Sequence, residues 1–192
     1  MTPGSPPVVT DGRLRKGEAR RRALLEAALR VVARDGVAGV THRSVAKEAG
    51  LPASSAAYYF GSVDDLLVAA LVWAADAYSA LLREAAAAPD PVAALAAALA
   101  DELAEERRPL VAAEYELYLL AARRPALRPV AARCVDDLAA LARGCVGDAP
   151  GVVTAFCAGV DGLMVQALVT GATPGGPEIE AVLRRLLART AG

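Results

Sequence analysis

The sequence of 192 residues has a formal net charge of −1, and 55% of its residues are hydrophobic while only 4% are aromatic. This length allows a sizeable core in one or two domains, and the near-zero charge excludes a uniformly basic nucleic-acid-binding protein. The charge is unevenly spread, because residues 1–62 carry ten Lys and Arg against five Asp and Glu (+5), whereas residues 63–192 carry eleven against seventeen (−6). A basic N-terminal part on an acidic remainder suits a nucleic-acid-binding domain joined to a domain with another task.

The first twelve residues are rich in Pro, Gly, Thr and Ser, and we predict that segment 1–12 is disordered. A first helix is predicted from about Gly17 to Asp35, with a buried stripe at helical spacing. The stripe comprises Leu24, Leu25, Ala28, Leu29 and Val32. The cations around the start of this helix either contact an anion such as DNA or belong to a solvated surface. These cations are Arg13, Arg15, Lys16, Arg20, Arg21 and Arg22.

Residues 41–60 predict two short helices joined by a tight turn. Thr41 is a good N-cap for a helix over 42–49, and Gly50 supplies the left-handed residue that ends it. The second helix is predicted over 53–60. Such a pair is either a hairpin inside an ordinary all-α core or a helix-turn-helix, which places its second helix in the DNA major groove. Short polar and phenolic side chains on the second helix favour the DNA-binding alternative, because they suit phosphates and base edges.

The same segment resembles the DNA-binding domain of the TetR family of transcriptional repressors. That family's pattern runs Thr-x-Arg-x-(Ile/Val)-Ala-x-x-Ala-Gly-(Val/Leu), then a short helix ending in aromatics and Phe, then a small residue, Lys and Leu-Leu. The matching residues are Thr41, Arg43, Val45, Ala46, Ala49, Gly50, Leu51, Tyr59, Phe60, Leu66 and Leu67. The sequence departs from the pattern at Pro52, Ala57 and Val63, where the family usually has Ser, Tyr and a phosphate-contacting Lys.

The resemblance implies a transcriptional regulator, most simply a repressor that a small molecule releases from a near-palindromic operator in double-stranded DNA. We predict that the DNA contacts come from Thr41, His42, Arg43, Lys47, Ser54, Ser55, Ala57, Tyr58 and Tyr59. The alternative is an all-α dimeric interaction or scaffold protein without a DNA function. Salt-sensitive binding to duplex DNA distinguishes the two.

A fourth helix is predicted to begin after Ser62, which can cap it, and to run to about Ala87. It is predicted to be the only long element that joins the two domains. Five further helices, separated by Pro or Gly, are predicted at 91–106, 109–123, 127–145, 151–171 and 177–190. The expected fold is therefore all-α with about nine helices. Its parts are a tail (1–12), a helix-turn-helix domain (13–62) and a ligand-binding and dimerisation domain (63–192).

The segment 152–169 is nearly continuous apolar sequence, long enough to suggest a membrane span. Asp161 and Gln166 lie inside it, however, and an acid near the middle of a bilayer is costly. A helix buried on two sides, by its own core and by a second copy of the chain, explains the pattern better than a membrane does. The homodimer contacts are predicted to come from Phe156, Val160, Leu163, Val182, Leu183 and Leu186, with Gly159 and Gly162 permitting close helix approach.

Aromatic and polar side chains of the C-terminal part suggest a largely apolar cavity, although aromatic residues at helical spacing are also typical of plain core. The candidate ligand-binding residues are Trp73, Tyr78, Glu114, Tyr115, Tyr118, Phe156 and Met164. The resemblance, rather than this pattern, implies that an effector exists. Because Glu114 and Asp161 are the only charges expected in the cavity, we predict a small, largely apolar effector that is not strongly anionic.

No residue pattern predicts catalysis, a cofactor or a metal site. His42 is the only histidine, and a nucleophile needs a nearby base. The cysteines Cys134, Cys145 and Cys157 form no CxxC pair, so we expect reduced thiols in a cytoplasmic protein. Adjacent acids such as Asp64 and Asp65 point in different directions around a helix and do not form an acid–base pair.

Overall fold

The computed structural model describes the backbone of residues 11–188 and the side chains of residues 15–188. Within this range the chain folds into nine α-helices and two short 3-10 helices without a strand, which confirms the predicted all-α class. The α-helices are α1 (Asp11–Asp35), α2 (His42–Glu48), α3 (Ser54–Tyr59), α4 (Val63–Ala87), α5 (Pro91–Glu102), α6 (Arg108–Leu120), α7 (Arg128–Val146), α8 (Pro150–Thr170) and α9 (Gly176–Ala188). The 3-10 helices are Val37–Gly39 and Pro125–Leu127.

Local signals in the sequence fix the ends of the N-terminal helices. The Thr41 side chain accepts a hydrogen bond from the Ser44 N–H at 2.9 Å, as expected of an N-cap. Gly50 ends α2 with a φ of 66°, in the left-handed region that suits glycine. The Ser62 side chain caps α4 by accepting from the Asp65 N–H at 3.0 Å. These two hydrogen bonds and the Gly50 conformation set the start and end of α2 and the start of α4 within one residue of the predicted positions.

Two predicted boundaries are wrong by more than one turn. Helix α1 begins at Asp11 rather than Gly17, because residues 11–16 contain no Pro and include good helix formers such as Leu, Arg and Lys. Only residues 1–10 of the predicted disordered tail lie outside the described residues. Helix α5 ends at Glu102 instead of residue 106, where Arg107 turns back and donates to the Glu102 carboxylate at 2.7 Å. The predicted end of the last helix, residue 190, lies beyond the described range.

Two clusters of buried apolar side chains form the core. The first joins α1, α2 and α3 to the N-terminal half of α4, and it also includes Ala113, Leu117 and Ala121 from α6 and its C-terminal end. The second joins the C-terminal half of α4 to α5, α7, α8 and α9. The helix-turn-helix domain therefore packs against α6 as well as α4, chiefly through α1. The prediction that α4 alone joins the two domains is therefore incomplete. Helix α4 is the covalent connection, but α6 also contacts both parts of the protein.

Two helices in the described part of the chain, α4 and α8, are long and apolar enough to cross a membrane by length and composition alone. Core helices of soluble proteins have the same properties. One face of α8 lies in the second core cluster through Phe156, Val160 and Met164. Its remaining surface is exposed and mixes polar residues such as Thr154 and Gln166 with apolar ones such as Val169. This two-sided arrangement agrees with the expectation that the apolar run serves the protein's own core on one side.

Candidate nucleic-acid interface and ligand cavity

The helix-turn-helix is held by small buried residues where its two helices cross. Val45 and Ala46 of α2 and Ala56 of α3 are fully buried in the first core cluster. The Leu51 N–H donates to the Ala46 carbonyl at 2.9 Å, which folds the turn back onto α2. Because the side chains of Ala46 and Ala56 are only methyl groups, α2 and α3 can approach each other closely. The opposite side of α3 is exposed at the surface. The Pro52 carbonyl accepts from the Ser55 N–H at 2.8 Å, so Pro52 lies in the turn just before α3.

The predicted DNA-contacting residues fall into two groups by exposure. Six of the nine are exposed on this surface: Thr41, Arg43, Lys47, Ser54, Ala57 and Tyr58. The other three, His42, Ser55 and Tyr59, are half-buried. The His42 Nε2 atom is enclosed and has no hydrogen-bond partner in the described part of the chain, so this atom does not face the solvent.

The basic side chains around this surface differ in how far they are neutralised. Arg30 and Arg34 donate to the two oxygens of Glu48 at 3.0 and 2.7 Å, which ties α1 to the end of α2. The Arg21 guanidinium lies over the Phe60 ring, 5.6 Å from its centroid. Arg43 and Lys47 are exposed and form no ion pair among the described residues. They therefore supply free positive charge beside α3. The side chain of Arg13 lies outside the described side chains.

A cavity lies between α4, α6, α7 and α8 in the C-terminal part of the protein. Its volume is about 90 Å³, which is small beside the roughly 300–1,000 Å³ typical of sites for drug-sized ligands. It is lined by Leu71, Ala74, Ala75, Tyr78, Glu114, Tyr115, Tyr118, Cys134, Val135, Leu138, Cys157 and Asp161. Three tyrosine rings and two carboxylates thus converge on one space.

Burial raises the pKa of both carboxyl groups in the cavity. It raises the pKa of Glu114 to about 7, and repulsion by Glu102 adds to this effect while Arg107 opposes it. Glu114 has no hydrogen bond or ion pair within the described residues. Burial also raises the pKa of Asp161, although the Tyr115 hydroxyl, 3.4 Å from its Oδ1 atom, partly offsets the shift. The cavity therefore contains one carboxyl group without a partner and one held by a tyrosine.

The tyrosine hydroxyls of the cavity stay protonated at neutral pH. Burial, followed by the charge of Asp161, raises the pKa of both Tyr78 and Tyr115. Tyr115 and Tyr118 lie one turn apart on α6, with ring centroids 6.2 Å apart and planes at 73°. The cavity wall consequently offers hydroxyl donors and ring faces next to acidic groups.

Four of the seven predicted ligand-binding residues line this cavity: Tyr78, Glu114, Tyr115 and Tyr118. The predictions for Trp73, Phe156 and Met164 are not supported by their positions. Phe156 and Met164 are buried in the second core cluster, and Trp73 packs against the first. The sequence prediction placed the cavity among the fourth to eighth helices but named no residue of α7, which contributes Cys134, Val135 and Leu138.

The residues predicted to form the dimer contacts also differ in how exposed they are. Phe156, Val160 and Leu183 are at most 1% exposed, so within a single chain they have no surface to offer a partner, and this part of the prediction is corrected. Leu163 and Leu186 are half-buried, and Val182 is exposed. A Cβ on Gly159 would lie 2.2 Å from Leu186 Cδ1, so Gly159 permits the packing of α8 on α9 of the same chain.

An open apolar face remains on α8. A Cβ on Gly162 would meet no atom within 4 Å, so this glycine faces open space. Val165 and Val169 follow it on exposed positions, and Val169 is 77% exposed. On the neighbouring α9, Val182 is exposed as well. These four residues define what we call the α8–α9 face.

A second cavity, of about 310 Å³, lies between α4 and α7 near the start of α5. It is lined by Ser79, Leu82, Arg83, Ala86, Pro91, Asp137, Ala140, Leu141, Gly144 and Cys145. It has no aromatic wall, and its carboxylate, Asp137, already contacts the Ser79 hydroxyl. The first cavity is the better ligand site despite its smaller volume, because it combines aromatic rings with an unpartnered carboxyl group.

No group of three or more His, Cys, Asp or Glu side chains is arranged to hold a metal ion in the described part of the chain. The three cysteines are unpaired thiols. Burial raises the pKa of each of them, which disfavours the reactive thiolate form.

Two protein-family models match this chain. The model of bacterial regulatory proteins of the tetR family matches residues 24–70, and the tetracyclin repressor-like C-terminal domain matches residues 87–189. The first match contains the helix-turn-helix, and the second contains most of the cavity wall.

Solved structures resemble the chain over most of its length. A TetR-family member from Streptomyces coelicolor A3 is 39% identical, with 88% of this chain and 98% of that chain covered and a TM-score of 0.76. The multidrug binding protein EbrR complexed with ethidium is 40% identical, with 88% and 98% covered and a TM-score of 0.70. Structures of EbrR complexed with proflavin and with malachite green also match.

A curated relative resembles only a short part of the chain. The HTH-type transcriptional regulator BetI of Rhizobium meliloti is 44% identical over 52 residues, which cover 27% of this chain and 26% of BetI. The match thus spans about a quarter of the length of that relative.

Proposed function

Because this chain belongs to the TetR family of transcriptional regulators, we propose that it is a repressor that an aromatic cation releases from its operator. The family membership makes it a DNA-binding regulator. The repressor role, the operator symmetry and the effector class are the proposed parts. We also propose that the protein acts in the cytoplasm, because a bacterial regulator binds chromosomal DNA in that compartment.

The proposed effector class rests on one observation. Three tyrosines line the same cavity as Glu114 and Asp161. A buried carboxylate is costly unless a positive charge pairs with it. Aromatic ring faces attract cations as well, because of their quadrupole. An aromatic ligand with one positive charge would therefore be stabilised by both parts of the wall. This refines the sequence-based expectation of a largely apolar effector by adding its charge.

The ligands of EbrR support the same class. Ethidium, proflavin and malachite green are aromatic molecules with a positive charge. The EbrR chain in the ethidium complex is 40% identical to this chain. An anionic ligand, by contrast, would face two carboxyl groups without a cation of the wall to neutralise it. We therefore propose that aromatic cations are bound and that anions of similar size are excluded.

The DNA-binding part of the proposal rests on α3 and its surroundings. Tyr58, Ser54 and Ala57 stand on the exposed side of α3, with Arg43 and Lys47 beside them on α2. A twofold homodimer through the α8–α9 face would present two such surfaces to a near-palindrome. Recognition helices spaced by about 34–36 Å, or a multiple of the DNA turn, would then enter successive major grooves.

The experiment has two steps. First, the purified protein selects bound sequences from a random duplex pool, and we expect near-palindromic sites to be recovered. Second, tetraphenylphosphonium, an aromatic cation that does not intercalate into DNA, is added to the complex, with uncharged triphenylphosphine oxide as the matched control. We expect release by the cation and not by the control. Equal release by both compounds, or by neither, would contradict the effector class, and asymmetric sites would contradict the dimeric operator.

A further inference from the structure

We infer that Glu116 on α6 is a positioning residue, which links the wall of the cavity to the helix-turn-helix through the N–H of Val37. The Val37 N–H donates to Glu116 Oε1 at 2.8 Å, between residues that are 79 positions apart in the sequence. The response to a ligand rests on the proposed function, whereas the positioning of the DNA-binding motif does not.

Among the described residues, the Val37 N–H donates to no acceptor other than Glu116. It opens the 3-10 helix Val37–Gly39, and the first N–H groups of a helix have no partner within the helix. The preceding residue is Gly36, which has no side chain to cap the helix and makes no capping bond. Glu116 therefore supplies from α6 the acceptor that a local N-cap residue normally supplies. A carboxylate acceptor makes this bond stronger than one between neutral groups.

Further hydrogen bonds lead from this short helix into α2. The Ser44 hydroxyl lies 2.9 Å from the Gly39 carbonyl, and it also accepts from the Thr41 N–H at 2.9 Å. The Ser44 N–H in turn donates to the Thr41 side chain. The first turn of α2 is thus bonded to the 3-10 helix whose start Glu116 holds. A shift of Glu116 along the helix axis of α6 would move the start of the DNA-binding motif.

The same helix forms part of the cavity wall. Glu114, Tyr115 and Tyr118 line the cavity, while Glu116 lies two residues from Glu114 and hence about 200° around the helix. Leu117 is buried in the cluster that contains the helix-turn-helix. Helix α6 thus contacts the cavity on one side and the DNA-binding domain on the others.

The size of the cavity gives a reason for α6 to move. A volume of about 90 Å³ is below the roughly 300–1,000 Å³ that is typical of sites for drug-sized ligands, so we expect such a ligand to displace a wall. Helix α6 is one of the four walls, and we assign part of this displacement to it. A packed helix moves as a rigid element, and Glu116 would carry the displacement to Val37. This route runs beside α4, which also joins the two parts of the protein.

The test compares three variants of the full-length protein. Glu116→Ala removes the acceptor, Glu116→Gln keeps a carbonyl oxygen that can accept from Val37, and Glu106→Ala removes an exposed glutamate close to the start of α6 as the matched control. The main readout is the ratio of the tetraphenylphosphonium Kd of the operator-bound protein to that of the free protein. This ratio measures coupling, because effector and operator must weaken each other by the same factor.

We expect Glu116→Ala to lower this ratio about fivefold, the effect of one modest hydrogen bond, and Glu116→Gln and Glu106→Ala to keep it near the wild-type value. We also expect faster amide exchange at Val37 and an operator affinity lowered about threefold in Glu116→Ala only. A merely structural role would lower the Tm of Glu116→Ala without changing the ratio, and that result would overturn the inference.

A failure of the proposed effector class is distinguishable from a failure of this inference. If the wild-type protein does not bind tetraphenylphosphonium, the effector class is wrong, and amide exchange and operator affinity still decide on Glu116. Unchanged exchange at Val37 together with unchanged operator affinity in Glu116→Ala would then refute the positioning role. Faster exchange and weaker operator binding in that variant alone would support it.

Discussion

The rings of Tyr58 and Tyr59 meet edge to face, with centroids 5.2 Å apart and planes at 88°. Their surroundings differ, because Tyr58 is 83% exposed while Tyr59 is half-buried. The Tyr59 hydroxyl lies 3.7 Å from the position that a Cβ would take on Gly17. Tyr59 therefore packs α3 against α1, and its ring supports Tyr58, which remains free to contact DNA.

Substitutions at these two tyrosines should have different effects. We expect Tyr58→Ala to lower operator affinity by up to about tenfold, the effect of losing one hydrogen-bonding contact, with an unchanged Tm. Tyr59→Ala should lower the Tm as well, because it removes packing between α1 and α3. Fluorescence anisotropy with the selected operator and differential scanning calorimetry measure the two quantities. A wild-type operator affinity for Tyr58→Ala would remove this residue from the DNA interface.

Arg43 should contribute to DNA binding through its charge. It is exposed on α2 and has no ion pair in the described part of the chain, so it is free to neutralise a phosphate. We expect Arg43→Ala to reduce the slope of log K against log salt concentration by about one. Arg185→Ala on α9 removes the same charge from an exposed position outside the helix-turn-helix and should leave the slope unchanged. If the salt slope of Arg43→Ala were the same as that of Arg185→Ala, Arg43 would not contact a phosphate.

The position of the cavity gives a test that separates Tyr118 from Trp73. Tyr118 lines the cavity, whereas Trp73 packs against the N-terminal core cluster. We expect Tyr118→Ala to weaken tetraphenylphosphonium binding several-fold, because it removes one aromatic face, worth about 0.5–2 kcal/mol. Trp73→Phe should bind with wild-type affinity. Isothermal titration calorimetry without DNA measures both, and the reverse order of effects would place the ligand elsewhere.

The end of α2 and the start of α4 are predictable from sequence because local chemistry determines them. Ser62 caps α4 through its own side chain, and Gly50 ends α2 because it adopts a positive φ at no steric cost. The exposure of Tyr58 also follows from the period of a short helix. The contact between Glu116 and Val37 cannot be predicted in this way, since it joins residues 79 positions apart.

The cavity residues are only partly predictable for a related reason. An apolar residue at helical spacing can face either a cavity or solid core, and the pattern does not distinguish the two. Phe156 and Tyr115 therefore look alike in sequence, although one is in the core and the other lines the cavity. The contribution of α7 depends on how it packs on α4 and α8. The adjacent Cys134 and Val135 in its sequence give no sign that both reach the cavity.

The α8–α9 face should hold the dimer together. Val169 is 77% exposed there, and burying such an apolar side chain against a second copy is favourable. We expect Val169→Asp to give a monomer by light scattering at micromolar concentration and to weaken operator binding, because one half-site is lost. Leu119→Asp changes another exposed apolar residue, 62% exposed on α6, and should remain a dimer. A dimeric Val169→Asp variant would exclude this face as the interface.

The protonation of Glu114 should make the affinity for a cation depend on pH. Burial raises its pKa to about 7, so the group is largely neutral below that pH and ionised above it. A cation pairs with the ionised form, and binding below pH 7 must therefore displace a proton. We expect the affinity for tetraphenylphosphonium to rise with pH by at most about tenfold per unit below pH 7 and to level off above it. Glu114→Gln should bind more weakly at pH 8 and show no step near pH 7, while Asp161→Asn should keep the step. The measurement is calorimetric titration from pH 5.5 to 8.5, and a step that survives in Glu114→Gln would assign the titration to another group.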